Sequence, residues 1–239
     1  MPQNKRSQSA IALEQLGTGA MTVLGRMPYS SNATFLVEVA GEPPLKAIYK
    51  PGRGERSLWD FPDCLFKREV AAYELASTLG WGIVPPTILR KDGPLGEGSV
   101  QLFIDADFQQ HYFTLFERPE LHPQLKRFAL FDIIANNADR KSGHILIDDA
   151  GDTWGIDHGV CFHPDPKLRT VIWEFAGTEI PPELLDDLAG RSRACLRALE
   201  GLLDEQEIRA LEKRIDEVLK DRRFPIPNPD MRCYPWPLI

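Results

Sequence analysis

The sequence lacks the features that would place it in a membrane or secreted class. Its 239 residues contain no apolar run that approaches the roughly 18–20 residues needed to span a bilayer. Residues 1–8 are polar and carry no apolar stretch of the kind found in signal peptides. The four cysteines are widely separated and form no Cys-x-x-Cys pair. We therefore expect a cytoplasmic protein with reduced thiols and no transmembrane segment.

An excess of positive charge is also missing. Lysine and arginine together number 28, whereas aspartate and glutamate number 35, which gives a formal net charge of −7. Proteins that bind nucleic acids generally rely on a clustered positive surface. The charge balance therefore predicts no nucleic-acid partner.

Three common catalytic signatures are absent from the sequence. Neither the GxxxxGK[ST] pattern of a P-loop nor the GxSxG pattern of a serine hydrolase occurs. The glycines Gly17 and Gly19 have neither the third glycine nor the preceding strand of a dinucleotide-binding fold. These absences argue against P-loop nucleotide hydrolases, Rossmann-type enzymes and serine hydrolases.

What the sequence does contain is a mixture of short strands and helices, which predicts an α+β fold. Apolar, β-branched and aromatic runs predict the strands, and apolar positions at helical spacing predict the helices. The predicted strands are 21–24, 34–39, 45–49, 87–90, 99–104, 144–147 and 153–156, and the predicted helices are 65–79, 123–135, 182–199 and 204–220.

The character of the chain changes near residue 104. We predict a β-rich part at 1–104 and a mostly helical part at 105–239. Residues 1–10 are expected to form a flexible tail. Residues 224–239 contain five prolines and are expected to be largely extended.

Two aspartates flank the hairpin predicted at 144–156. Asp139 lies in the polar loop 136–144, which follows an almost entirely apolar helix, and Asp157 follows the second hairpin strand. Because a hairpin brings its outer ends together, the two carboxylates can share one cleft, an arrangement that suits divalent metals and phosphate chemistry. The simpler interpretation is a helix cap with solvated charges and an ordinary Asp-His-Gly turn.

A lysine and a glutamate in the first half form a second candidate pair. Lys50 ends an apolar strand, and Glu69 lies within the apolar stripe of the helix 65–79. An unpaired carboxylate is costly to bury, so Glu69 needs a cation. Lys50 is the natural partner, and Arg68 and Arg56 are the alternatives.

A zinc site is a weaker possibility. His158, Cys161 and His163 have a spacing compatible with metal binding, but the sequence offers no obvious fourth ligand.

Taken in order, these parts resemble the protein-kinase-like phosphotransferases, which place a strand lysine, a helix glutamate, an aspartate loop, a hairpin and an Asp-x-Gly along the chain. Tyr49-Lys50-Pro51, Asn137-Ala138-Asp139-Arg140 and Asp157-His158-Gly159 are similar to the atypical branch, which includes phosphatidylinositol 3-/4-kinases and secretory-pathway kinases. Over about residues 20–220, and above all at 54–62 and 68–73, the chain is most similar to a family of actinobacterial proteins described as phosphatidylinositol 3-/4-kinase-related.

This resemblance implies a two-lobed fold, with a small β-rich N-lobe that contains one main helix and a mostly helical C-lobe with a catalytic-loop hairpin. It implies ATP as the phosphate donor, with Mg²⁺ or Mn²⁺ as the metal. The acceptor stays open among proteins, lipids and small molecules, and the oligomeric state stays open as well.

The resemblance also assigns the main roles in the site. Lys50 contacts the α- and β-phosphates and is oriented by Glu69, Asp157 binds the metal, and Asp139 orients or deprotonates the acceptor hydroxyl. Further contacts follow by analogy: Ser30, Ser31 and Asn32 cover the phosphates, Gln101 and Phe103 contact adenine, and Lys141 lies near the γ-phosphate. Arg140 either stabilises the charge of the transferred phosphate or pairs with an acid in the C-lobe.

Two positions depart from the lipid-kinase pattern. Lys141 stands where those kinases have histidine, and His144 stands where they have a metal-binding asparagine. A neutral imidazole can bind a divalent ion and suits Mn²⁺ or Zn²⁺ better than Mg²⁺. The other interpretation is that His144 only begins the hairpin strand.

The four main polar residues of the pattern, Lys50, Glu69, Asp139 and Asp157, are all present. For this reason we favour an active phosphotransferase. The alternatives are a pseudokinase that binds nucleotide or partner proteins, and an AMP transferase on the same fold.

Overall fold

The structure, a computed structural model, describes residues 3–28 and 32–239. Its first half is built on an antiparallel sheet and its second half is mostly helical, which confirms the predicted α+β class. The elements are α1 (Gln3–Thr18), β1 (Met21–Arg26), β2 (Phe35–Val39), β3 (Leu45–Pro51), α2 (Leu65–Leu79), β4 (Thr87–Gly93), β5 (Gly96–Leu102), α3 (Tyr112–Phe116), α4 (His122–Ala135), β6 (Ile145–Ile147), β7 (Thr153–Gly155), α5 (Pro182–Ala198) and α6 (Glu205–Asp221). None of the helices in the described ranges is both long and apolar enough to cross a membrane.

The sheet has the strand order β1-β2-β3-β5-β4, and all neighbouring strands are antiparallel. Its small core contains Val37, Tyr49 and Val100, and α1 contributes the fully buried Leu16 to the same cluster. Residues 3–10, for which the sequence predicted a flexible tail, belong to α1. The helix has no clear apolar stripe, and its stability comes from packing against the sheet.

A second and larger core joins α2 to the helices of the second half. Leu75 and Leu79 of α2 are fully buried in one cluster with Phe128 and Phe131 of α4 and with side chains of α5 and α6. Helix α2 therefore packs on the second half although it precedes residue 104. The division of the chain at that residue stays a prediction.

Helix α2 is capped at both ends, by a side chain at its start and by a glycine at its end. At its start, the Glu55 carboxylate accepts hydrogen bonds from the main-chain N–H groups of Leu65, at 2.9 Å, and Phe66, at 2.6 Å. At its end, Gly80 adopts a left-handed conformation with a φ of 74°, which favours glycine. The helix spans the residues predicted for it.

The ends of α4 and of the β6–β7 hairpin bring the polar loop and the Asp-His-Gly segment together. Asn136 ends α4 with a φ of 50°, as a C-cap asparagine does. Ile145 pairs with Gly155 at the open end of the hairpin, so that Asp139 and Asp157 emerge at the same end. Residues 224–239, all of them described, contain neither helix nor strand.

Candidate active site

A cleft of about 880 Å³ brings together polar side chains that are far apart in the sequence. Elements from both halves of the chain line it: β3, α2, the loop 136–144 and the segment that follows β7. The predicted site residues that line the cleft are Asn32, Lys50, Glu69, Asp139, Lys141, His144 and Asp157.

Lys50 reaches the cleft because side chains alternate along β3. Ala47 and Tyr49 point into the sheet core, so Lys50 points to the opposite face. Its Nζ forms an ion pair with Glu69 Oε1 and lies 2.8 Å from Asp157 Oδ1. Burial by itself lowers the pKa of Lys50, but the charges of Asp157 and Glu69 outweigh this and raise it above the ordinary value. Lys50 is therefore a fixed positive charge.

Glu69 connects α2 to two other parts of the site. The residue is only 2% exposed. One carboxylate oxygen pairs with Lys50, and the other accepts a hydrogen bond from the main-chain N–H of His158 at 3.0 Å. The predicted Lys50–Glu69 ion pair is thus present, while the alternative partner Arg68 pairs with Glu207 and Arg56 is exposed.

Asp157 has an unusual backbone conformation for a residue other than glycine. Its φ of 59° is in the left-handed region, and strain of this kind clusters at functional sites. The side chain is 51% exposed, and its Oδ2 lies 3.4 Å from Nε2 of His144. The ammonium of Lys50 holds the pKa of Asp157 well below its usual range, so the carboxylate is ionised.

His144 is the second group beside Asp157 that has the chemistry of a metal ligand. Burial lowers its pKa to about 4, and the nearby Asp157 offsets this only in part. The imidazole is therefore neutral at neutral pH, which is the form that binds metals. Within residues 3–28 and 32–239, no group of three or more histidine, cysteine, aspartate and glutamate side chains is arranged to hold a metal ion.

The three residues considered for zinc do not converge. His158 is fully buried, with its Nε2 2.8 Å from a guanidinium nitrogen of Arg140. The ring of His163 packs edge-on against Phe61, with the ring centroids 5.0 Å apart. The zinc alternative is not formed.

Asp139 is paired with a lysine two residues further on. Its Oδ2 forms an ion pair with Lys141 Nζ, and its main-chain N–H donates to Asn137 Oδ1 at 3.0 Å. Burial raises the pKa of Asp139, and Lys141 partly offsets the shift. Asp139 is therefore a somewhat stronger base than an ordinary aspartate.

Arg140 lies behind the cleft and not in it. The residue is 0% exposed, and its guanidinium group pairs with the equally buried Asp132 of α4, with 2.9 Å between Arg140 Nη2 and Asp132 Oδ1. It also donates to the carbonyl oxygen of Ile156 at 3.1 Å. Of the two roles that the sequence left open, the structure therefore shows the ion pair with an acid, and the catalytic assignment of Arg140 is wrong.

Of the residues predicted to cover the phosphates, the structure describes only Asn32. Ser30 and Ser31 lie outside the described residues. Asn32 lines the cleft, but its Oδ1 accepts a hydrogen bond from the main-chain N–H of Arg56 at 3.0 Å.

Gln101 and Phe103 are not found among the described residues that line the cleft. Gln101 is buried in the sheet, where its amide donates to Thr87 Oγ1 at 2.9 Å. The ring of Phe103 packs near that of Phe108, with a centroid distance of 6.4 Å. The contacts of these two residues with adenine stay a prediction.

Residues near the end of the chain form one wall of the cleft, which no sequence pattern indicated. Trp236, Pro237 and Ile239 line it. The main-chain N–H of Ser142 holds this segment by donating to the carbonyl oxygen of Leu238 at 2.8 Å. The prolines predicted an extended conformation, but no pattern in the sequence showed where the segment would dock.

Comparisons with solved structures support the fold. A crystal structure of the Golgi casein kinase with Mn/ADP bound superposes with a TM-score of 0.62, at 14% sequence identity, over 95% of this chain and 81% of that one. At this level of identity the similarity shows the fold alone. The two-part kinase-like architecture implied by the sequence is confirmed at that level.

Comparisons with curated sequences give one distant and one near relative. A phosphatidylinositol 4-kinase gamma 4 of rice, Oryza sativa subsp. japonica, is 31% identical over 142 residues, which cover 48% of this chain but only 24% of the plant protein. This match does not show a phosphatidylinositol-kinase type. No family model matches the chain.

The near relative matches almost from end to end. Protein Rv2133c of Mycobacterium tuberculosis is 40% identical over 261 aligned positions, which cover 93% of each chain. The chain therefore belongs to the same family as Rv2133c, and its fold is kinase-like.

Proposed function

We propose that this protein is an ATP-dependent phosphotransferase that transfers the γ-phosphate of ATP to a hydroxyl group of an acceptor. One observation carries the proposal: the Nζ atom of Lys50 contacts both Glu69 and Asp157, in the same cleft that contains Asp139. A fixed cation, a carboxylate with one oxygen facing His144, and a base thus surround one space. We infer that ATP binds there, between the parts 1–104 and 105–239.

Each of these side chains has a defined task in the proposed reaction. Lys50, oriented by Glu69, binds the α- and β-phosphates. Asp139 accepts the proton of the acceptor hydroxyl as its oxygen attacks the γ-phosphorus, and the bond from that phosphorus to the β–γ bridging oxygen breaks to release ADP. Lys141, which pairs with Asp139, balances the charge of the γ-phosphate.

The donor set at Asp157 fits a divalent cation. A carboxylate and a neutral imidazole face each other, with 3.4 Å between Asp157 Oδ2 and His144 Nε2. When bound, the cation neutralises charge on the phosphate oxygens. The Golgi casein kinase with Mn/ADP bound has the same fold, which supports a nucleotide and a divalent metal at this site.

Intact-mass analysis after incubation with Mg-ATP tests the proposal. A gain of one phosphate on wild-type protein, absent in Asp139→Asn, supports phosphoryl transfer. A gain of one AMP identifies a nucleotidyl transferase on the same fold. Absence of any mass gain, combined with absence of Mg-ATP binding in calorimetry, contradicts the proposal.

The Lys50–Glu69 pair is expected to act as a unit in nucleotide binding. Lys50→Met and Glu69→Gln should each weaken Mg-ATP binding, and the double variant should lose less than the two losses added together. Because the residues are in direct contact, we expect a coupling free energy of about 0.5–3 kcal/mol. Calorimetry on the four proteins measures it, and strictly additive losses would contradict a shared role.

The metal preference is expected to depend on His144. An imidazole nitrogen is a softer ligand than an amide oxygen and favours Mn²⁺ over Mg²⁺. His144→Asn should therefore shift the ratio of ATP affinities with the two metals toward Mg²⁺, by about tenfold. Titrations with each metal measure this ratio. His122→Asn is the matched control, because His122 stacks on Phe116 away from the cleft; an unchanged ratio in His144→Asn would leave that histidine a structural role only.

A further inference from the structure

The residue next to Glu69 forms a buried ion pair that the proposed reaction does not use. Arg68 and Glu207 are both 3% exposed, and the guanidinium group of Arg68 pairs with the carboxylate of Glu207 in α6. The Nε atom of Arg68 also donates to the carbonyl oxygen of Cys161 at 3.1 Å. Arg68 therefore connects α2 to α6 and to the segment that follows Asp157.

Glu207 is itself held rigidly at the start of α6. Its second carboxylate oxygen accepts a hydrogen bond from the main-chain N–H of Asp204 at 2.9 Å, and the Asp204 side chain accepts one from the N–H of Glu207 at 2.8 Å. This reciprocal capping box fixes the first turn of the helix. Arg214, two turns further along α6, donates to the carbonyl oxygen of Ile134 in α4 at 2.8 Å. Glu207 is thus fixed relative to the helix that leads into the Asp139 loop.

The Arg68–Glu207 ion pair affects the site because Arg68 and Glu69 are neighbours on α2 and point in different directions. Consecutive residues on a helix point about 100° apart, so Arg68 faces α6 while Glu69 faces the cleft. A rotation of α2 about its axis that separated Arg68 from Glu207 would also turn Glu69 relative to Lys50. Buried ion pairs often add little stability compared with apolar side chains of the same size, and their best-attested role is to fix one specific arrangement.

We propose that Arg68 and Glu207 are positioning residues that set the location of α2, so that Glu69 meets Lys50 and the main-chain N–H of His158. This inference rests on the proposed function, because the property being set is nucleotide binding. It makes α6, which does not line the cleft, part of the machinery of the nucleotide site.

Variants of the ion pair test the inference in the full-length chain. Glu207→Gln keeps an oxygen for the Asp204 N–H but removes the charge that holds Arg68. We expect it to weaken Mg-ATP binding by about tenfold in calorimetry, because small displacements of positioned groups have large effects. The double variant Arg68→Met with Glu207→Gln removes both buried charges and keeps the capping oxygen, so its thermal midpoint should stay closer to that of the wild type than the midpoint of Glu207→Gln alone. It should still bind Mg-ATP more weakly.

A matched control separates positioning from general loosening of α2. Asp187→Asn weakens another contact of the α2 region, the hydrogen bond from Trp81 Nε1 to Asp187 Oδ2 at 3.1 Å, which is distant from Glu69 in the chain. This control should lower the thermal midpoint and keep the affinity for Mg-ATP. The inference is overturned if Glu207→Gln binds Mg-ATP like the wild type, or if Asp187→Asn weakens binding equally. Wild-type protein that does not bind Mg-ATP at all overturns the proposed function as well.

Discussion

Replacing Asp157 by asparagine is expected to weaken Mg-ATP binding by about 100-fold, which corresponds to about 2.8 kcal/mol. The carboxylate of Asp157 faces His144, with 3.4 Å between Oδ2 and Nε2, and its low pKa keeps it charged throughout the neutral range. Asparagine has the same shape but no charge, so it would hold a divalent cation more weakly, and the phosphates would keep their contact with Lys50 but lose the neutralisation that the cation supplies. Calorimetric titration with Mg-ATP and with ATP alone measures the effect.

The result has a matched control on the same hairpin. Asp149 lies in the exposed turn between β6 and β7 and does not line the cleft, so Asp149→Asn should bind Mg-ATP normally. The affinity of Asp157→Asn should also become nearly independent of magnesium. If both the affinity and its dependence on magnesium stay unchanged, the metal site lies elsewhere.

Replacing Asp139 by asparagine is expected to leave Mg-ATP binding nearly intact and to reduce turnover by roughly 100- to 10,000-fold, the range of a lost general base. Asp139 contacts neither Lys50 nor Glu69, so the phosphate contacts should persist. The raised pKa of the Asp139 carboxyl suits it to accept a proton. Phosphate incorporation, measured by intact mass over time, gives the rate, and calorimetry gives the affinity.

Asp165→Asn provides the comparison for this variant. The Asp165 side chain is 83% exposed and lies on the loop after the Asp-His-Gly segment, so this variant should keep its turnover. An active Asp139→Asn protein would show that the base is another residue. A loss of both binding and turnover would show that Asp139 acts on the nucleotide instead.

The parts of the site that follow from local sequence rules were predictable. Helix α2 has the bounds expected from its apolar spacing, because the same apolar stripe packs into the helical core. The Lys50–Glu69 pair was predictable because a carboxylate within an apolar stripe requires a cation within reach. The convergence of Asp139 and Asp157 followed from the geometry of a hairpin.

The same electrostatic rule could have placed Arg140. Asp132 is the only charged residue between Phe128 and Ala135, so a buried carboxylate in α4 was already visible in the sequence. The role of Arg140 stayed open because the family resemblance offered a second role beside this ion pair.

Other features depend on contacts that no local pattern encodes. The position of α1 depends on Leu16 entering the sheet core, and the burial of Gln101 depends on its register with Thr87 across two strands. The docking of residues 236–239 depends on one backbone hydrogen bond to Ser142. Each of these requires the assembled tertiary structure and not the sequence of a single element.

The sequence separation of the contacts that assemble the site indicates at which stage of folding the site is complete. Lys50 and Asp157 are separated by 107 residues along the chain, and Arg68 and Glu207 by 139. Contacts that close such long loops form late, because the chain loses conformational entropy before the contacts contribute their stabilising free energy. An emerging chain can pair the strands of its sheet well before α6 leaves the ribosome, but it cannot yet hold α2 in place. Nucleotide binding should therefore be acquired in the last step of folding, and a bound nucleotide would stabilise the whole chain against unfolding and not one half of it.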